Sequence, residues 1–221
     1  MTEKAESIFI YGAGGHGRVV FDAIDRESRE LKIFFLDDMA RAGQRLLGVP
    51  VLDGSLNSTL PHGKINIAVG DNRARKLISG RFHPQKLLTI AHNNAVVSQH
   101  AFIGQGCFMA AGSVVAAGSE LGLGVIVNHS AVLDHNCVVS AFCHIAPSAT
   151  VCGGVKLGEG VLVGAGAVLL PGVTIGEWSV IGAGSVVTSD VSPNSVVVGA
   201  PAEIKTVRGQ SNSKGIVGDF S

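Results

Sequence analysis

An aliphatic side chain recurs at every sixth position between Val97 and Val187, and this period restricts the fold more than any other feature. It matches neither the 3.6-residue period of an α-helix nor the two-residue period of a plain strand. A sustained hexapeptide period is typical of a parallel β-helix, in which each repeat forms one short strand and one turn. Three strands complete a coil, so residues about 18 apart should stack at roughly the 4.8 Å spacing of paired strands. The series is Val97, Ile103, Met109, Val115, Leu121, Val127, Leu133, Val139, Ile145, Val151, Leu157, Val163, Leu169, Ile175, Ile181 and Val187.

Two further columns of the repeat agree with a β-helix. Two residues before the aliphatic position stands a small or medium side chain, which indicates an inward site near a corner: Cys107, Ser113, Ser119, Val125, Ala131, Cys137, Cys143, Ala149, Val155, Val161 and Ala167. One residue earlier glycine dominates, as in turns that need a positive φ: Gly106, Gly112, Gly118, Gly124, Ser130, Asn136, Phe142, Ser148, Gly154, Gly160, Gly166, Gly172, Trp178 and Gly184. Three of the four cysteines therefore have a packing explanation, and without a CxxC pair zinc is weakly supported.

Residues 1–90 follow a different pattern. SIFIYG, KIFFLDD and KINIAVG read as short strands, while GRVVFDAIDRES and DNRARKLIS have helix-like spacing. Alternating strands and helices predict a small, half-Rossmann-like α/β domain with a parallel sheet. We divide the chain into this domain at residues 1–90, the β-helix at residues 91–200 and a C-terminal tail at residues 201–221. The tail from Gln210 is polar and glycine-containing, so it is expected to be partly disordered.

The first strand of the α/β domain runs into a glycine-rich turn. Residues 12–17 match G-x-G-x-x-G, and Asp37 and Asp38 end the next strand. Backbone amides of such a turn, with the following helix N-terminus, suit a pyrophosphate. Because the domain supplies only about half of a dinucleotide fold, a nucleotide-sugar is favoured over a dinucleotide, with a purely structural turn as the third interpretation.

Composition excludes some functions. The 17 basic residues balance 17 acidic residues without a basic stripe, so nucleic acid is not an expected partner. The first residues lack the basic start and apolar length of a secretory signal, and no apolar run reaches the roughly 18 residues of a membrane span. We therefore expect a cytoplasmic protein.

Two histidines interrupt the β-helix. His135 and His144 are half a coil apart, so within one chain they should lie on different sides of the prism. Positions stacked on His135 carry the small or compact residues Ala117, Gly153 and Pro171, which would leave a shallow channel for a thin ligand such as pantetheine. The plain alternative is that each is an ordinary packed or surface histidine.

The chain resembles, over nearly its whole length, the sugar O-acyltransferase and sialic acid O-acetyltransferase family of hexapeptide-repeat acyltransferases. Within that family it is most similar to the nucleotide-linked 4-amino-sugar N-acetyltransferases of bacterial glycan biosynthesis. The resemblance is carried by YGAGGHGRVV, FLDD, IAVGDN, NHSAVLDHNC, AFCHIAPSATVCGGV, IGAGSVV and VGAPAEIK. It implies a left-handed β-helix, a homotrimer with active sites between subunits, and acetyl-CoA as cosubstrate, with no metal.

The resemblance also implies roles for individual residues. His135 would be the general base, with Asn136 beside it. The implied acetyl-CoA-binding residues are His144, Gly153, Ala165 and Ala183. The implied nucleotide-sugar-binding residues are Gly14, Gly15, His16, Asp37, Asp38, Gly70 and Asn72.

The chemistry of this assignment is coherent. An imidazole with an ordinary pKa near 6.5 can take a proton from an amine that attacks a thioester, and the Gly153 amide could stabilise the oxyanion. Direct transfer needs no acyl-enzyme, so the cysteines are expected to be bystanders. The chain departs from the family at Asn136, where a carboxylate usually follows the base. Asp134 precedes the base, but strand alternation is expected to turn it away.

These observations predict an acetyl-CoA-dependent N-acetyltransferase acting on the 4-amino group of a nucleotide-linked deoxy-sugar, most simply a UDP-sugar. One alternative is an O-acetyltransferase acting on sialic acid or another sugar hydroxyl. Another is a non-catalytic nucleotide-sugar-binding trimer. A zinc hydratase of the γ-class carbonic anhydrase type would use His129 with His135 and His144, but the H-x4-H spacing is absent.

Overall fold

The computed structural model describes residues 7–24, 31–55 and 63–207, which form an α/β domain packed against one side of a parallel β-helix. The strands of the domain are β1 (Ser7–Tyr11), β2 (Lys32–Asp37), β3 (Arg45–Leu46), β4 (Val49–Asp53) and β5 (Gly63–Ile67). Its helices are α1 (Gly15–Asp22) and α2 (Asn72–Ser79), and a 3-10 helix follows at Pro84–Lys86. The sheet order is β3-β4-β2-β1-β5, with parallel pairing of β1 with β2 and β5 and of β2 with β4. The predicted parallel α/β fold is confirmed.

The central strands are apolar because the sheet is covered on both faces. Phe9, Ile10 and Tyr11 of β1 are buried, although alternate side chains point to opposite faces. The antiparallel pair β3–β4 was not predicted. Its two-residue loop, Leu47-Gly48, has positive φ at both positions but lacks the Asn-Gly or Asp-Gly signal of such hairpins.

Three sheets make the sides of the β-helix. The domain-side sheet contains β6 (Ile90–Ala91), β9 (Phe108–Met109), β12 (Ile126–Val127), β15 (His144–Ile145), β18 (Leu162–Val163), β21 (Val180–Ile181) and β23 (Ser195–Val198), with β24 (Glu203–Val207) antiparallel at its end. The valine sheet contains β7 (Val96–Val97), β10 (Val114–Val115), β13 (Val132–Leu133), β16 (Thr150–Val151), β19 (Val168–Leu169) and β22 (Val186–Val187). The third sheet contains β8 (Phe102–Ile103), β11 (Glu120–Leu121), β14 (Val138–Val139), β17 (Lys156–Leu157) and β20 (Thr174–Ile175).

The register of these sheets confirms the predicted coil. Leu133 pairs with Val115 on one side and Val151 on the other, so partners differ by three hexapeptides. From β7 to β22 the second residue of each short strand points inward, and these aliphatic side chains form one continuous core with the small-residue column, which includes Cys107, Cys137 and Cys143. Small side chains fit there because the column lies beside the corners, where two sides of the prism meet.

The glycine-rich column occupies the corners, as predicted. The glycines have positive φ, and so do the residues that replace them: Ser130, Asn136, Phe142, Ser148 and Trp178. Non-glycine residues tolerate this left-handed conformation at a modest cost. Asn136 is therefore one of the corner residues with positive φ. This position places its side-chain amide next to His135.

The α/β domain covers the lower part of the domain-side sheet. Outward-facing Phe108 and Ile126 share an apolar cluster with Val20 and Phe21 of α1. Burial of each such side chain contributes about 1.5–3 kcal/mol, so this seam holds the two domains together. On the same side, Phe142 is buried and Trp178 lies under the guanidinium of Arg73, 4.4 Å from ring centroid to Cζ.

In the described part of the chain, no helix is long and apolar enough to cross a membrane. The start of the predicted C-terminal tail is ordered, because β24 (Glu203–Val207) pairs with β23. Residues 208–221, the rest of that tail, lie outside the described residues, as does His62.

Candidate active site

The glycine-rich turn between β1 and α1 is held in place by close backbone contacts. A Cβ on Gly17 would lie 2.0 Å from the carbonyl oxygen of Gly12, so only glycine permits this approach of helix and strand. Gly14 and Gly15 differ, because an added Cβ would meet nothing within 4 Å at either position. The start of α1 is therefore open, as a phosphate-binding turn requires.

A cleft of about 620 Å³ adjoins this turn. Its walls include Gly14, Asp37, Met39 and Arg41. Asp37 stabilises the turn, because its Oδ2 accepts a hydrogen bond from the Ala13 amide at 2.9 Å. The predicted residues Gly14 and Asp37 thus border one open cleft.

Asp38 belongs to a separate polar network. Its carboxylate accepts hydrogen bonds from the hydroxyl of Tyr11 and from Nη1 of Arg81, the latter at 3.0 Å to Oδ2. Burial, followed by the contact with Asp38, raises the pKa of Tyr11 well above its ordinary value. The hydrogen bond to Asp38 raises the pKa of Arg81. Asp38 therefore links β1 and β2 to the segment after α2. Its remaining lone pairs can accept further hydrogen bonds.

His16 and His144 meet where the two domains join. Their ring centroids are 6.2 Å apart, and His16 also packs edge-on against Phe108. Nε2 of His16 is buried without a hydrogen-bond partner among the described residues. Burial first, then Arg75 and His129, lowers the pKa of His16 from 6.5 to about 4. The imidazole of His16 is consequently neutral near pH 7.

Both ring nitrogens of His144 have partners in the chain. Nδ1 lies 3.3 Å from the carbonyl oxygen of Gly70, and Nε2 lies 3.1 Å from Nδ2 of Asn128. These contacts fit the neutral tautomer in which Nδ1 donates to Gly70 and Nε2 accepts from Asn128. Burial, followed by Arg75 and His16, lowers the pKa of His144 to about 3. His144 is thus bound to the α/β domain.

His135 has a different environment. It follows β13 in a turn, and 61% of its side chain is exposed. Its Nε2 lies 4.0 Å from Oδ2 of Asp134, and its Nδ1 lies 3.2 Å from Nδ2 of Asn136. The expectation that Asp134 turns away is wrong, because residues 134–136 lie beyond the strand and strand alternation does not apply. Asp134 Oδ1 also accepts the backbone N–H of His135 at 2.7 Å.

Gly153 lies against His135 from the next coil. A Cβ at Gly153 would be 2.5 Å from Cε1 of the imidazole. The imidazole therefore rests on bare backbone, and the Gly153 main chain remains accessible beside it. The shallow channel beside Ala117 and Pro171 stays a prediction.

The other donor-site residues predicted from the sequence lie elsewhere within one chain. Ala165 and Ala183 occupy corners between the domain-side and valine sheets, whereas His135 and Gly153 occupy corners between the valine and third sheets. His144 opens β15 in the domain-side sheet. A single chain therefore does not bring His144, Ala165 and Ala183 to His135, and the two sets of corners border the valine sheet on opposite edges.

Asn72 links α2 to the β-helix through its side chain. Its Nδ2 donates to the carbonyl oxygen of Gly160 at 3.1 Å, and its Oδ1 accepts from Nη2 of Arg75 at 2.8 Å. Arg75 and Asn128 were missed by sequence reasoning. A signal existed for Arg75, since Asn72, Arg75 and Ser79 fall on one helix face at spacings of three and four.

Among the residues that the structure describes, no group of three or more His, Cys, Asp or Glu side chains could hold a metal ion. His129 and His135, which a zinc hydratase would use together, occupy different corners of one coil.

Comparison with known proteins decides the family. Residues 7–82 match the PglD N-terminal domain model, and residues 136–171 and 154–189 match the bacterial transferase hexapeptide model. The acetyltransferase domain of PglB from Neisseria gonorrhoeae, solved in complex with acetyl coenzyme A, is 38% identical with a TM-score of 0.82, over 90% of this chain and 98% of that one. This chain belongs to the PglD-type family of hexapeptide-repeat acetyltransferases.

Two other members of this family are informative. PerB from Caulobacter crescentus, solved with CoA and GDP-perosamine, is 34% identical with a TM-score of 0.81, over 90% of this chain and 97% of that one. A curated protein of Bacillus subtilis, UDP-N-acetylbacillosamine N-acetyltransferase, is 35% identical over 102 residues. That match spans 43% of this chain and 47% of the Bacillus protein, about half the length of each.

Proposed function

We propose that this chain transfers the acetyl group of acetyl-CoA to the 4-amino group of a nucleotide-linked amino-deoxy sugar, with a UDP-sugar as the first candidate. The observation that carries the proposal is the exposed imidazole of His135 resting on Gly153, with a carboxylate on one side and a carboxamide on the other. The proteins solved with acetyl coenzyme A or with CoA and GDP-perosamine support the classes of donor and acceptor. The Bacillus relative supports UDP.

His135 acts as the general base. For Nε2 to accept a proton from the attacking amine, Nδ1 must carry one. Rotating the Asn136 amide by half a turn places Oδ1 beside Nδ1, where it can accept that proton and hold the tautomer. Asp134 then stabilises the imidazolium that forms, because its carboxylate lies 4.0 Å from Nε2.

Gly153 serves the donor side of the reaction. Gly153 has no side chain between its backbone and the imidazole, so its N–H would be free to donate to the oxygen of the thioester as negative charge develops there. The proton accepted by His135 then passes to the departing thiolate. Nitrogen thus forms its bond to the acetyl carbon as the carbon–sulfur bond breaks, and nothing is oxidised or reduced.

Direct transfer without an acyl-enzyme agrees with the state of the cysteines. Burial raises the pKa of Cys107 to about 11 and of Cys143 to about 12, and it also raises the pKa of Cys137 and Cys152. Thiols with raised pKa values are protonated near pH 7 and are poor nucleophiles.

The acceptor is assigned to the α/β domain. The open amides of Gly14 and Gly15 would hold the pyrophosphate at the start of α1, and the cleft beside Asp37 would hold the nucleoside. The acceptor site would then also adjoin His16, Asp38, Gly70 and Asn72. Of these, Gly70 contacts His144 and Asn72 contacts the β-helix.

A homotrimer completes the site. The outward side chains of the valine sheet are Val96, Val114, Val132, Thr150, Val168 and Val186, which form an uncharged ladder. The third sheet instead presents Glu120 and Lys156, and the α/β domain covers part of the domain-side sheet. The valine sheet is therefore the face that a second copy would cover.

Three-fold packing on this face explains the separation of the donor-site residues. If three parallel prisms turn their valine sheets toward a common axis, each edge of one sheet adjoins the opposite edge of the next. The corners with His135 and Gly153 then meet the corners with Ala165 and Ala183 of another copy. Acetyl-CoA would lie in that seam. We place the reaction in the cytoplasm, with which four free cysteines agree.

The deciding experiment measures acetyl transfer to UDP-, dTDP- and GDP-linked 4-amino-6-deoxy sugars by thiol release and product mass. We expect one acceptor to be acetylated, with at least a hundredfold loss in His135→Ala. The matched control is His100→Gln, which replaces another exposed histidine and should retain activity. Transfer only to a sugar hydroxyl would move the assignment to O-acetylation. Binding of acetyl-CoA and nucleotide-sugar without transfer would identify a non-catalytic trimer.

A further inference from the structure

Arg75 is a buried cation without a counter-ion among the described residues. Only 1% of Arg75 is exposed, and its guanidinium forms no ion pair in the described ranges. It donates instead to Gly124 O at 2.9 Å, Val69 O at 2.8 Å, Gly70 O at 3.2 Å, Asn72 Oδ1 at 2.8 Å, Phe142 O at 2.8 Å and Cys143 O at 3.3 Å. A buried charge without a counter-ion is costly, and these hydrogen bonds to neutral oxygens offset the cost only in part. A buried cation at this place therefore indicates a specific role.

The acceptors of Arg75 belong to both domains. Val69 and Gly70 precede α2 in the α/β domain, while Gly124, Phe142 and Cys143 lie on the β-helix. The planar guanidinium reaches both sets at once, which a single ammonium group on a flexible stem cannot do.

One of these acceptors is shared with His144. The Gly70 carbonyl oxygen lies 3.2 Å from Nη1 of Arg75 and 3.3 Å from Nδ1 of His144. Arg75 thus holds the group that accepts the Nδ1 proton of His144, while the Asn128 amide approaches Nε2 at 3.1 Å. The direction of the ring and the nitrogen that carries the proton both depend on this arrangement.

We propose that Arg75 is a positioning residue for acetyl transfer, which fixes the Gly70 carbonyl and thereby the orientation and tautomer of His144 at the junction of the two domains. The inference rests on the proposed function, because it assigns Arg75 to that reaction. The contact between Arg75, Gly70 and His144 is testable without it.

The fixed charge of Arg75 has a second effect. The groups that face His144 are His16 from α1, Arg75 from α2, the Gly70 carbonyl and the Asn128 amide, while His129 also acts on His16. After burial, Arg75 is the largest cause of the lowered pKa of both His16 and His144. Removing its charge is therefore expected to raise the pKa of both histidines.

Two variants separate the geometry from the charge. Arg75→Lys keeps the charge and loses the planar set of donors, whereas Arg75→Gln loses the charge. The control is Arg73→Gln, two residues away on the same helix, exposed and stacked on Trp178. For each variant we would measure the unfolding midpoint, KM for both substrates, and kcat.

We expect kcat/KM for acetyl-CoA to fall roughly tenfold or more in Arg75→Lys. Arg73→Gln should match the parent. A purely structural role would lower activity only in proportion to the folded fraction, which would overturn the proposal.

A spectroscopic test remains if Arg75→Gln does not fold. Long-range proton–nitrogen spectra of histidine-labelled protein report the tautomer of His144, with His144→Gln used to assign the signal. The parent should show the proton on Nδ1, and Arg75→Lys should show mixed tautomers. An unchanged Nδ1 tautomer in Arg75→Lys would overturn the inference. Failure of acetyl transfer in the parent would instead count against the proposed function alone.

Discussion

Gly153 lies so close to His135 that a Cβ on the glycine would come within 2.6 Å of Nε2 of the imidazole. The need for glycine is steric, because Gly153 is not among the residues with positive φ. The two residues belong to adjacent coils of the same corner, as Leu133 pairs with Val151 just before them. The position of the imidazole is therefore set by the backbone one coil later.

Gly153→Ala is expected to displace His135. The added methyl would force the imidazole off the backbone, and misplacing a reacting group by about 1 Å can cost on the order of a hundredfold in rate. We expect kcat/KM to fall between tenfold and a hundredfold, with little change in unfolding midpoint because the ring is exposed and can move. The measurement is steady-state kinetics on the acceptor identified above.

A double-mutant cycle provides the control for this prediction. In a His135→Ala background there is no ring to displace, so Gly153→Ala should have little further effect on the residual rate. Independent, multiplicative losses would show that Gly153 acts through something other than His135.

The two side chains flanking His135 should have opposite responses to a change of charge. Asp134→Asn keeps an oxygen for the His135 backbone N–H but removes the negative charge beside Nε2. We expect kcat/KM to fall about threefold to tenfold, which corresponds to roughly 0.7–1.4 kcal/mol in the transition state. Asn136→Asp introduces a carboxylate beside Nδ1 and should leave activity unchanged or raise it. Equal losses in both variants would contradict the assignment of the two groups.

The valine sheet gives a prediction about assembly. Val132→Glu would place a charge in the middle of the proposed interface, where burying it without a partner is costly. We expect this variant to sediment as a monomer and to lose acetyl transfer together with its trimeric state. Val138→Glu is the matched control, since it makes the same change at an outward position of the third sheet in the same coil. Dissociation of both variants or of neither would refute the choice of face.

Stability should fall on acidification because two histidines are buried in neutral form. Their pKa values in the folded protein, about 4 for His16 and about 3 for His144, lie below the unfolded value of 6.5. Between these limits the unfolded chain binds more protons than the folded chain, so acid favours unfolding. Each histidine can contribute up to about 1.4 kcal/mol per pH unit below pH 6.5.

Denaturant unfolding at pH 7.5, 6.0 and 5.0 measures this effect. The variant His144→Gln should show a shallower dependence on pH than the parent. His100→Gln, which changes an exposed histidine, should keep the slope of the parent. If all three proteins lose stability in parallel, groups other than His144 cause the acid sensitivity.

The β-helix was predictable because its local and global order have the same period. Every sixth side chain points inward, so the inward series, the corner residues and the pairing of Leu133 with Val115 and Val151 follow from counting. The stretch around β1, α1, β2, β5 and α2 was also predicted. The β3–β4 hairpin was missed because a Leu47-Gly48 turn carries little local signal.

The candidate site was predictable only in part, because contacts between the two domains do not follow the six-residue repeat of the sequence. Sequence reasoning selected His135, but it treated Asp134 as part of a strand and expected the wrong orientation. It also left Arg75 without a role, because its spacing with Asn72 and Ser79 on one helix face does not show that the side chain contacts five backbone carbonyls between the domains. Such contacts depend on how the α/β domain lies on the prism.

The fixed register of the β-helix also limits how such a chain can change in length. Inserting one hexapeptide before Gly153 would rotate everything after it onto the next side of the prism, so that residue would leave the corner of His135. Only an insertion or deletion of a complete coil returns every later side chain to its own face. Length variation within the β-helix of functional relatives should therefore occur in steps of about 18 residues, while other insertions should be confined to loops at the corners.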